Sequence, residues 1–407
     1  MYIHRTLEKK FIEMNDFFKV LLVNGPRQVG KTTMLRKLAS NQKRTYVTLD
    51  NLEIRKMAKE EPAHFFQIYD LPIIIDEVQY APELFPYIKL LVDQSNKTGQ
   101  IWLTGSQQYN LMKNIQESLA GRVGILNLYP FSNSEINGIQ FDSELFFDLE
   151  SLKKRQEMVQ SNSLKEIFHR IWAGGMPQVL NATDLQKETY FEGYINTYLM
   201  RDVVELGGVR DVIKFRTFLS ACAALIGEQL SFKNLSDVVG IDQETAKRWL
   251  NLLESLGIIY LLHPYYNNQL KRLNKTPKLY FIDTGLASHL SMWLTAETLI
   301  MGASNGHYFE NYIVIELLKS YEYGQHKANL TYIRDSNDKE IDVIVEYGRQ
   351  IYTLEIKMSA SPNRRDVKKF KMLEKTEVKI AGGGIICNIE RLLPVDGIYN
   401  LIPANLI

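Results

Sequence analysis

The stretch Gly25-Pro26-Arg27-Gln28-Val29-Gly30-Lys31-Thr32-Thr33 decides the fold of the amino-terminal third of the chain. It follows an apolar run at residues 18–25 and leads into a helical pattern, MLRKLAS. The match to GxxxxGK[ST] is complete and lies between a strand and a helix, as a phosphate loop requires. Backbone N–H groups of such a loop turn inward on an anion at the helix amino terminus. The stretch therefore predicts a site for a nucleoside triphosphate, with ATP as the expected ligand.

The residue types in this stretch each have a chemical reason. Lys31 can reach the β- and γ-phosphates, which makes it a candidate catalytic residue as well as a binding residue. Thr32 offers a hydroxyl to Mg²⁺. We therefore assign residues 25–33 to nucleotide binding, and we expect ATP and Mg²⁺ as cofactors.

A later run, LPIIIDE, ends in two carboxylates, Asp76 and Glu77. In an open sheet of parallel strands, the carboxyl end of a buried strand lies beside the phosphate loop. We expect Asp76 to hold the magnesium ion and Glu77 to orient or deprotonate the attacking water. The alternative interpretation is a solvated strand end.

Three further residues are candidates for the same site. Thr104 and Ser106 end the run GQIWLTGS, where a polar side chain could sense the γ-phosphate, although a plain turn also explains them. Arg122, in SLAGR, is a candidate catalytic charge donor, because a guanidinium can engage phosphoryl oxygens bidentately. An ordinary helix-terminal arginine is the alternative.

The same region predicts an α/β fold of the P-loop NTPase type. Helical segments separate its apolar, strand-like runs, which occupy residues 18–25, 44–50, 71–77, 99–106 and 123–131. Continuous runs of Ile, Leu and Val separated by helices indicate a buried parallel sheet with helices on both faces. We place this ATPase domain at residues 1–140.

Length and composition limit the class of protein. The 407 residues suggest more than one domain, and the net charge of +1 means that any nucleic-acid or membrane surface must be local. Cys222 and Cys387 lie outside any Cys/His cluster, which argues against disulfides and structural zinc. Neither a signal peptide nor a stretch long enough for a membrane helix is evident. We therefore expect a cytoplasmic protein without a membrane partner.

The middle of the chain is predicted to be helical at residues 141–213 and to form a winged helix-turn-helix at residues 214–299. Leu235, Val238 and Val239 would give its first helix an apolar face, and Asp242 would cap its second helix. Candidate DNA contacts, which would engage phosphates, are Lys247 and Arg248 on the second helix and Lys271, Arg272 and Lys275 at a hairpin tip. The alternative is a module for packing or dimerisation.

Residues 300–407 are predicted to form a second α/β domain with a strand pair in KEIDVIVEYGRQIYTLEIKMS. If the hairpin turns at residues 347–350, Asp342 lies directly opposite Glu355, with Cβ atoms about 5 Å apart. Lys357 shares their face. The same register sets Glu340 opposite Lys357, so a cross-strand ion pair on a solvated face is the alternative.

A nuclease-like centre could be built from these side chains. Asp342, Glu355 and Lys357 could bind a divalent metal and stabilise a phosphodiester transition state, with Glu310 of GHYFENYIVIELL as an added ligand.

The motifs occur in an order that resembles a known family: GPRQVGKTT, IIIDEVQYAPELFPYIKLLVD, LTGS, ESLAGR, YLMRDV, PKLYFIDTGLA, GHYFENYI and EIDVIVE…LEIK. The chain resembles prokaryotic AAA-type ATP-binding proteins that carry a winged helix and a carboxyl-terminal domain of unknown function similar to restriction-endonuclease folds. That resemblance implies nucleotide binding by Gly30, Lys31 and Thr32, and magnesium and water handling by Asp76 and Glu77. It also implies a nuclease-like centre at Glu310, Asp342, Glu355 and Lys357.

Three functions follow as hypotheses. In the first, ATP hydrolysis is a switch that changes the arrangement of the winged-helix and nuclease-like modules. In the second, the chain is a metal-dependent nuclease that nucleotide regulates. In the third, it is a DNA-binding regulator with slow hydrolysis. An oligomer is compatible with each of them.

Overall fold

A computed structural model describes residues 2–106, 115, 118–141, 145–265, 276–335, 339–373 and 378–407. The chain divides into two compact units. The first unit is Met1–Phe131 with Ser255–Ile258, and the second is Ser132–Glu254 with Ile259–Ile407. The finer division of the second unit into helical, winged-helix and nuclease-like domains stays a prediction.

The first unit is built on a five-stranded parallel sheet with strand order β2-β3-β4-β1-β5. Its strands are β1 Val20–Asn24, β2 Thr45–Thr48, β3 Ile73–Asp76, β4 Ile101–Gly105 and β5 Val123–Asn127. Every residue of β1, β3 and β4 is buried, because these inner strands are apolar on both faces. The parallel sheet predicted from the apolar runs is confirmed.

Helices of the first unit connect and cover these strands. They are α1 Leu7–Asn15, α2 Lys31–Leu38, α3 Leu52–Glu60, α4 Pro62–Ile68 and α5 Leu84–Asp93. Apolar side chains of α3, α4 and α5 pack with those of the strands in one core that includes Ala58, Phe65 and Ile88.

The parallel direction of the strands gives this sheet one edge formed by carboxyl ends and one edge formed by amino ends. The carboxyl ends of β1, β3 and β4 lie at one edge because the strands are parallel. The phosphate loop follows β1 there, Asp76 ends β3, and Glu77 follows it. Residues that precede a strand lie at the other edge.

The second unit begins as a largely helical region. Its helices up to the predicted helix-turn-helix are α6 Asn133–Ile136, α7 Leu149–Met158, α8 Leu164–Ala173, α9 Asp184–Gly193, α10 Met200–Gly207 and α11 Val212–Ala224. A π-helical segment, Tyr194–Leu199, joins α9 to α10.

Helix, turn, helix and paired strands follow in the predicted order. They are α12 Phe232–Val239, α13 Gln243–Ser255, and the antiparallel strands β6 Ile259–Leu262 and β7 Lys278–Phe281. Gly240 ends α12 in the left-handed conformation. Oδ1 of Asp242 accepts a 2.8 Å hydrogen bond from the backbone N–H of Thr245, as predicted for a capping residue.

One part of the predicted apolar face of α12 is wrong. Leu235 and Val239 are buried, but Val238 is 70% exposed. Leu235 and Val239 are four residues apart and lie on the same face of the helix, whereas Val238 lies beside that face. The winged-helix type of this region stays a prediction.

The carboxyl-terminal part contains a six-stranded sheet with strand order β12-β13-β11-β10-β9-β8. Its strands are β8 Asn329–Arg334, β9 Glu340–Tyr347, β10 Gln350–Lys357, β11 Lys379–Cys387, β12 Leu393–Asp396 and β13 Tyr399–Pro403. Strands β9 and β10 pair with Gln350 opposite Tyr347 and Leu354 opposite Val343. This register confirms the predicted hairpin, and Asp342 and Glu355 are the next residues of the two strands.

Three helices precede this sheet: α14 Thr284–Leu290, α15 Ala296–Met301 and α16 Asn305–Tyr323. A 3-10 segment, Arg364–Leu373, packs against the sheet through Val367, Phe370 and Leu373. Among the helices of the described ranges, none has both the length and the apolar character that crossing a membrane requires.

Candidate active site

The phosphate loop has a backbone that its sequence explains. Gly25 has φ of +145°, and a Cβ atom there would lie 2.1 Å from the carbonyl oxygen of Leu128. Gly30 has φ of +95° and directly precedes the first residue of α2. Side chains are therefore excluded at Gly25 by a close backbone approach and disfavoured at Gly30 by the left-handed conformation.

Lys31 lies inside the loop that it is predicted to serve. Its side chain is 5% exposed, and Nζ donates to the carbonyl oxygens of Gly25 and Pro26 at 2.9 and 2.7 Å. The ammonium group is therefore held beside the inward-turned loop backbone, where an anion would meet it.

Asp76 is the meeting point of three elements. Its Oδ1 accepts hydrogen bonds from Oγ1 of Thr32 at 2.6 Å and from Oγ1 of Thr104 at 2.5 Å. Its Oδ2 accepts a 3.0 Å bond from the hydroxyl of Tyr46. Burial, followed by the Asp76 carboxylate, raises the pKa of Tyr46 to about 12. The loop, β3 and β4 thus present their predicted residues to one another, and β2 adds a tyrosine that sequence patterns did not single out.

Glu77 directly follows β3 in the left-handed conformation, with φ of +56°. Its backbone N–H donates to Oγ1 of Thr104 at 3.0 Å. Its Oε2 accepts a 3.0 Å bond from Oγ of Ser106 and another from Nε2 of Gln79. Thr104 and Ser106 therefore contact the two carboxylates, and Gln79, which no sequence pattern singles out, contacts Glu77.

Arg5, near the amino terminus, is hydrogen-bonded to the backbone of the phosphate loop. Arg5 is 3% exposed and donates from Nη1 to the carbonyl oxygen of Val29 at 2.8 Å. It also donates from Nη2 to the carbonyl oxygen of Tyr129 at 2.5 Å, and it lies over the ring of Phe131. No local pattern could have indicated this role, because the partners lie 24 and 124 residues away.

Arg27, Gln28 and Thr33 are the other loop residues whose local structure is defined. Arg27 donates from Nη2 to the hydroxyl of Tyr80 at a long 3.5 Å. Gln28 adopts a left-handed φ of +63°, and Thr33 lies in the first turn of α2.

The donor set at this edge fits a magnesium ion bound together with a nucleotide. Mg²⁺ prefers oxygen ligands and usually takes one or two protein carboxylates plus substrate phosphates. Thr32 and Asp76 supply a hydroxyl and a carboxylate that already touch. In the described part of the chain, no group of three or more His, Cys, Asp or Glu side chains is arranged to hold a metal on its own.

The prediction that Arg122 donates charge to the phosphoryl group of its own chain's site is contradicted by its position. Arg122 precedes β5, so it lies at the amino-terminal edge of the sheet, about 15 Å of strand away from the phosphate loop. Its guanidinium instead binds Asp93 bidentately, at 2.6 and 2.9 Å. Arg122 therefore links the turn before β5 to Asp93, the last residue of α5.

The carboxyl-terminal acids are buried beside lysines. Glu355 is 1% exposed, and its carboxylate pairs with Nζ of Lys357 at 2.6 Å and with Nζ of Lys369. Burial, followed by the Asp342 carboxylate, raises the pKa of Glu355 to about 7. Oδ2 of Asp342 accepts a 2.8 Å bond from the N–H of Ile356. Asp342 and Glu355 therefore interact, and two lysines pair with Glu355.

Glu310 joins the same electrostatic cluster through different partners. Its Oε1 accepts from Nζ of Lys278 at 2.7 Å and from the hydroxyl of Tyr280 at 2.6 Å. Burial, followed by the Asp342 carboxylate, raises the pKa of Glu310. Lys278 also pairs with Glu340 at 2.6 Å, so the alternative that paired Glu340 with Lys357 is wrong. The reason is that Lys278, on strand β7 outside the β9–β10 hairpin, pairs with Glu340 instead.

The candidate DNA contacts are partly described. Lys247 and Arg248 are exposed on α13. Lys271, Arg272 and Lys275 lie outside the described residues. Trp249, on the same helix, is buried against Phe215 and Phe218 and belongs to the core.

Comparison with protein families assigns the first unit. Residues 17–137 match the family model described as an AAA domain. Residues 164–297 match a domain of unknown function, DUF8612, and residues 305–407 match another, DUF4143. The AAA match spans the sheet, the phosphate loop and both carboxylates, so the chain carries an AAA-type ATPase domain.

Relatives align along most of the chain. An uncharacterized protein of Mycobacterium tuberculosis is 26% identical over 389 residues, which cover 95% of this chain and 80% of the relative. An uncharacterized protein of Methanocaldococcus jannaschii is 23% identical over 385 residues, covering 91% of this chain and 81% of the relative.

Solved structures show more distant likenesses. A Walker-type ATPase of Pyrococcus abyssi is 17% identical, covers 71% of this chain and 96% of its own, and has a TM-score of 0.46. The RuvB Holliday junction branch migration motor of Thermotoga maritima is 16% identical, covers 63% of this chain and 89% of its own, and has a TM-score of 0.31.

Proposed function

We propose that the first unit binds ATP with Mg²⁺ and hydrolyses it to ADP and inorganic phosphate. The observation that carries the proposal is the convergence on Asp76, whose Oδ1 binds the hydroxyls of both Thr32 and Thr104 while Glu77 follows in the chain. A phosphate loop, a metal ligand and a water-handling carboxylate are the parts that phosphoryl transfer to water needs.

The chain's own residues have distinct roles in this reaction. Lys31 binds the β- and γ-phosphate oxygens, and the loop backbone cradles them. The oxygen of a water molecule attacks the γ-phosphorus, and Glu77 accepts a proton from that water. The bond from the γ-phosphorus to the oxygen that bridges to the β-phosphate breaks, and ADP leaves with the electron pair. Thr32 and Asp76 would hold Mg²⁺, which neutralises developing charge on the phosphates when it is bound.

Substitution of the water-handling carboxylate tests this assignment. Glu77→Gln should keep ATP bound but slow phosphate release by about 100-fold or more, because the proton acceptor is lost. Glu60→Gln, at an exposed carboxylate of α3, is the matched control and should turn over like the wild type. Equal turnover in wild type and Glu77→Gln would contradict the role of Glu77.

We further propose that hydrolysis acts as a switch on the second unit. Contacts between the γ-phosphate and Mg²⁺ are a general means of ordering mobile segments, and their loss on hydrolysis releases them. Hydrogen exchange of residues 132–254 and 259–407 should differ between ATP-bound Glu77→Gln and ADP-bound wild type. Identical exchange in the two states would remove the switch from the proposal.

DNA is a candidate target of that switch through the exposed Lys247 and Arg248. If these side chains bind phosphates, Lys247→Glu with Arg248→Glu should flatten the salt dependence of duplex binding. A wild-type protein that binds no duplex at low salt would end this part of the proposal.

A metal-dependent nuclease is a second candidate function, favoured by the position of Asp342 opposite Glu355. Both acids are buried, and Lys357 lies beside Glu355, which agrees with a phosphodiester-cleaving centre. Plasmid DNA with Mg²⁺ or Mn²⁺ should then be cut by wild type and spared by Glu355→Ala. Cutting that is the same in both proteins, or absent in both, would reject the nuclease.

A further inference from the structure

Gln79 occupies a position in the ATPase site that neither sequence motif assigns. It lies in the 3-10 turn Val78–Tyr80, directly after Glu77. Its Nε2 donates both to Oε2 of Glu77 and to Oγ of Ser106, the latter at 3.2 Å. Oγ of Ser106 donates in turn to the same Oε2 of Glu77 at 3.0 Å. The three side chains form a closed ring of hydrogen bonds around one carboxylate oxygen.

The ring determines which way the amide of Gln79 points. A flipped amide would set its carbonyl oxygen against the negative Oε2 of Glu77, which is repulsive, so Nε2 must face the carboxylate. Oε1 of Gln79 therefore takes no part in the ring. It is buried, and no donor among the described residues reaches it.

A buried acceptor without a donor is costly, by about 1 to 3 kcal/mol for a neutral group. A structural brace for Glu77 needs only Nε2, so bracing does not explain why an amide with an orphaned acceptor stands here. An acceptor that is used during the reaction does explain it, because the carbonyl oxygen lies beside the carboxylate that handles the attacking water.

We propose that Gln79 positions the attacking water together with Glu77. Its Oε1 accepts a hydrogen bond from one hydrogen of the water, while Nε2 keeps Glu77 oriented to take the proton from the other. Gln79 itself gains and loses no proton, and the bonds broken and formed are those of the hydrolysis step above. This inference rests on the proposed ATPase function, and it adds Gln79 and, through Oγ, Ser106 to the water-handling group.

Gln79→Leu tests the inference because leucine keeps much of the volume and removes both hydrogen bonds. We expect kcat for phosphate release to fall about 10- to 100-fold, with KM and the Kd for ATP within about twofold of wild type. In a Glu77→Gln background the same substitution should still lower kcat, because Oε1 of Gln79 contacts the water itself, whereas a residue that only braced the Glu77 carboxylate would cause no further loss. Gln42→Leu, at an exposed glutamine of the same unit, is the matched control and should leave kcat unchanged.

A second variant keeps the inference testable if Gln79→Leu disturbs folding. Gln79→Asn retains the amide and its acceptor oxygen, so it should keep more of kcat than Gln79→Leu. A difference in kcat between the amide and the leucine variant at equal unfolding temperature is not expected from a role in packing alone. Unchanged kcat in Gln79→Leu, no further loss in the Glu77→Gln background, or kcat in Gln79→Asn as low as in Gln79→Leu would overturn the role of Gln79. A wild type that releases no phosphate would instead overturn the ATPase function itself.

Discussion

The hydroxyl of Thr32 donates a 2.6 Å hydrogen bond to Oδ1 of Asp76, and this bond joins residues 44 positions apart in the chain. Thr32 lies in the first turn of the helix after the phosphate loop, and Asp76 is the last residue of strand β3. Because both side chains present oxygen atoms at the same edge of the sheet, one divalent ion can contact them without rearrangement of the backbone.

We therefore expect Asp76→Asn to weaken ATP binding only when magnesium is present. The amide keeps the size of the side chain but lacks the charge that a hard cation requires. Calorimetric titration with ATP and Mg²⁺ should show an affinity at least about tenfold lower than that of wild type. Titration in EDTA is the control, since the two proteins should then bind ATP equally. Equal affinities in magnesium would remove Asp76 from the metal site.

Gly25 should tolerate no side chain. A Cβ atom at this position would lie 2.1 Å from the carbonyl oxygen of Leu128, so Gly25→Ala must displace backbone in the phosphate loop. We expect Gly25→Ala to abolish binding of a fluorescent ATP analogue and to lower the unfolding temperature. Gly121 also has a left-handed φ, of +75°, but a Cβ atom there meets nothing within 4 Å. Gly121→Ala should cost about 1 kcal/mol of stability and leave binding intact. Binding retained by Gly25→Ala would show that the loop can move aside.

Sequence patterns predicted the parts of this molecule that depend on local order. The strand LPIIIDE, the loop before α2 and the register of β9 with β10 follow from apolar runs, glycine positions and a period of two residues. The opposition of Asp342 and Glu355 could be derived because a short turn sets the register of a hairpin.

Contacts between distant segments could not be predicted in this way. Arg5 reaches the phosphate loop from the amino terminus, and Lys278 reaches Glu310 from strand β7. Arg5 stands in no motif, and the motif PKLYFIDTGLA around Lys278 does not indicate its partner, because both contacts depend on how separate elements pack. Arg122 is a different case, because an arginine directly before a parallel strand belongs at the amino-terminal edge, and that rule alone would have corrected its assignment.

Arg122→Ala should leave ATP turnover within about twofold of wild type, in contrast to the substitution of a residue that touches phosphate. Its guanidinium binds Asp93 at the edge of the sheet opposite the loop. Steady-state phosphate release at saturating ATP measures this directly, and Lys31→Ala serves as the inactive reference. A large loss in Arg122→Ala would mean that Arg122 acts on a site other than that of its own chain.

Lys187 should make the stability of the second unit depend on pH. Its Nζ lies 3.3 Å from the centroid of the Trp172 ring and donates to Oγ of Ser288 at 3.2 Å. Burial lowers the pKa of Lys187 to about 7, although the Asp283 and Asp184 carboxylates oppose the shift. Between pH 7 and the ordinary lysine pKa of about 10.5, the unfolded chain therefore binds more protons than the folded chain, and the free energy of unfolding rises with pH.

Replacing Lys187 with methionine removes the contribution of this amine to the pH dependence of the free energy of unfolding. Lys187→Met should be more stable than wild type at pH 7, and its advantage should shrink by at most about 2 kcal/mol on going to pH 9. Urea unfolding followed by tryptophan fluorescence at the two pH values measures the difference. Lys165→Met, at an exposed position of α8, is the control and should differ from wild type by the same amount at both pH values. An advantage of Lys187→Met that does not change with pH would show that the Lys187 amine keeps its proton in the folded state.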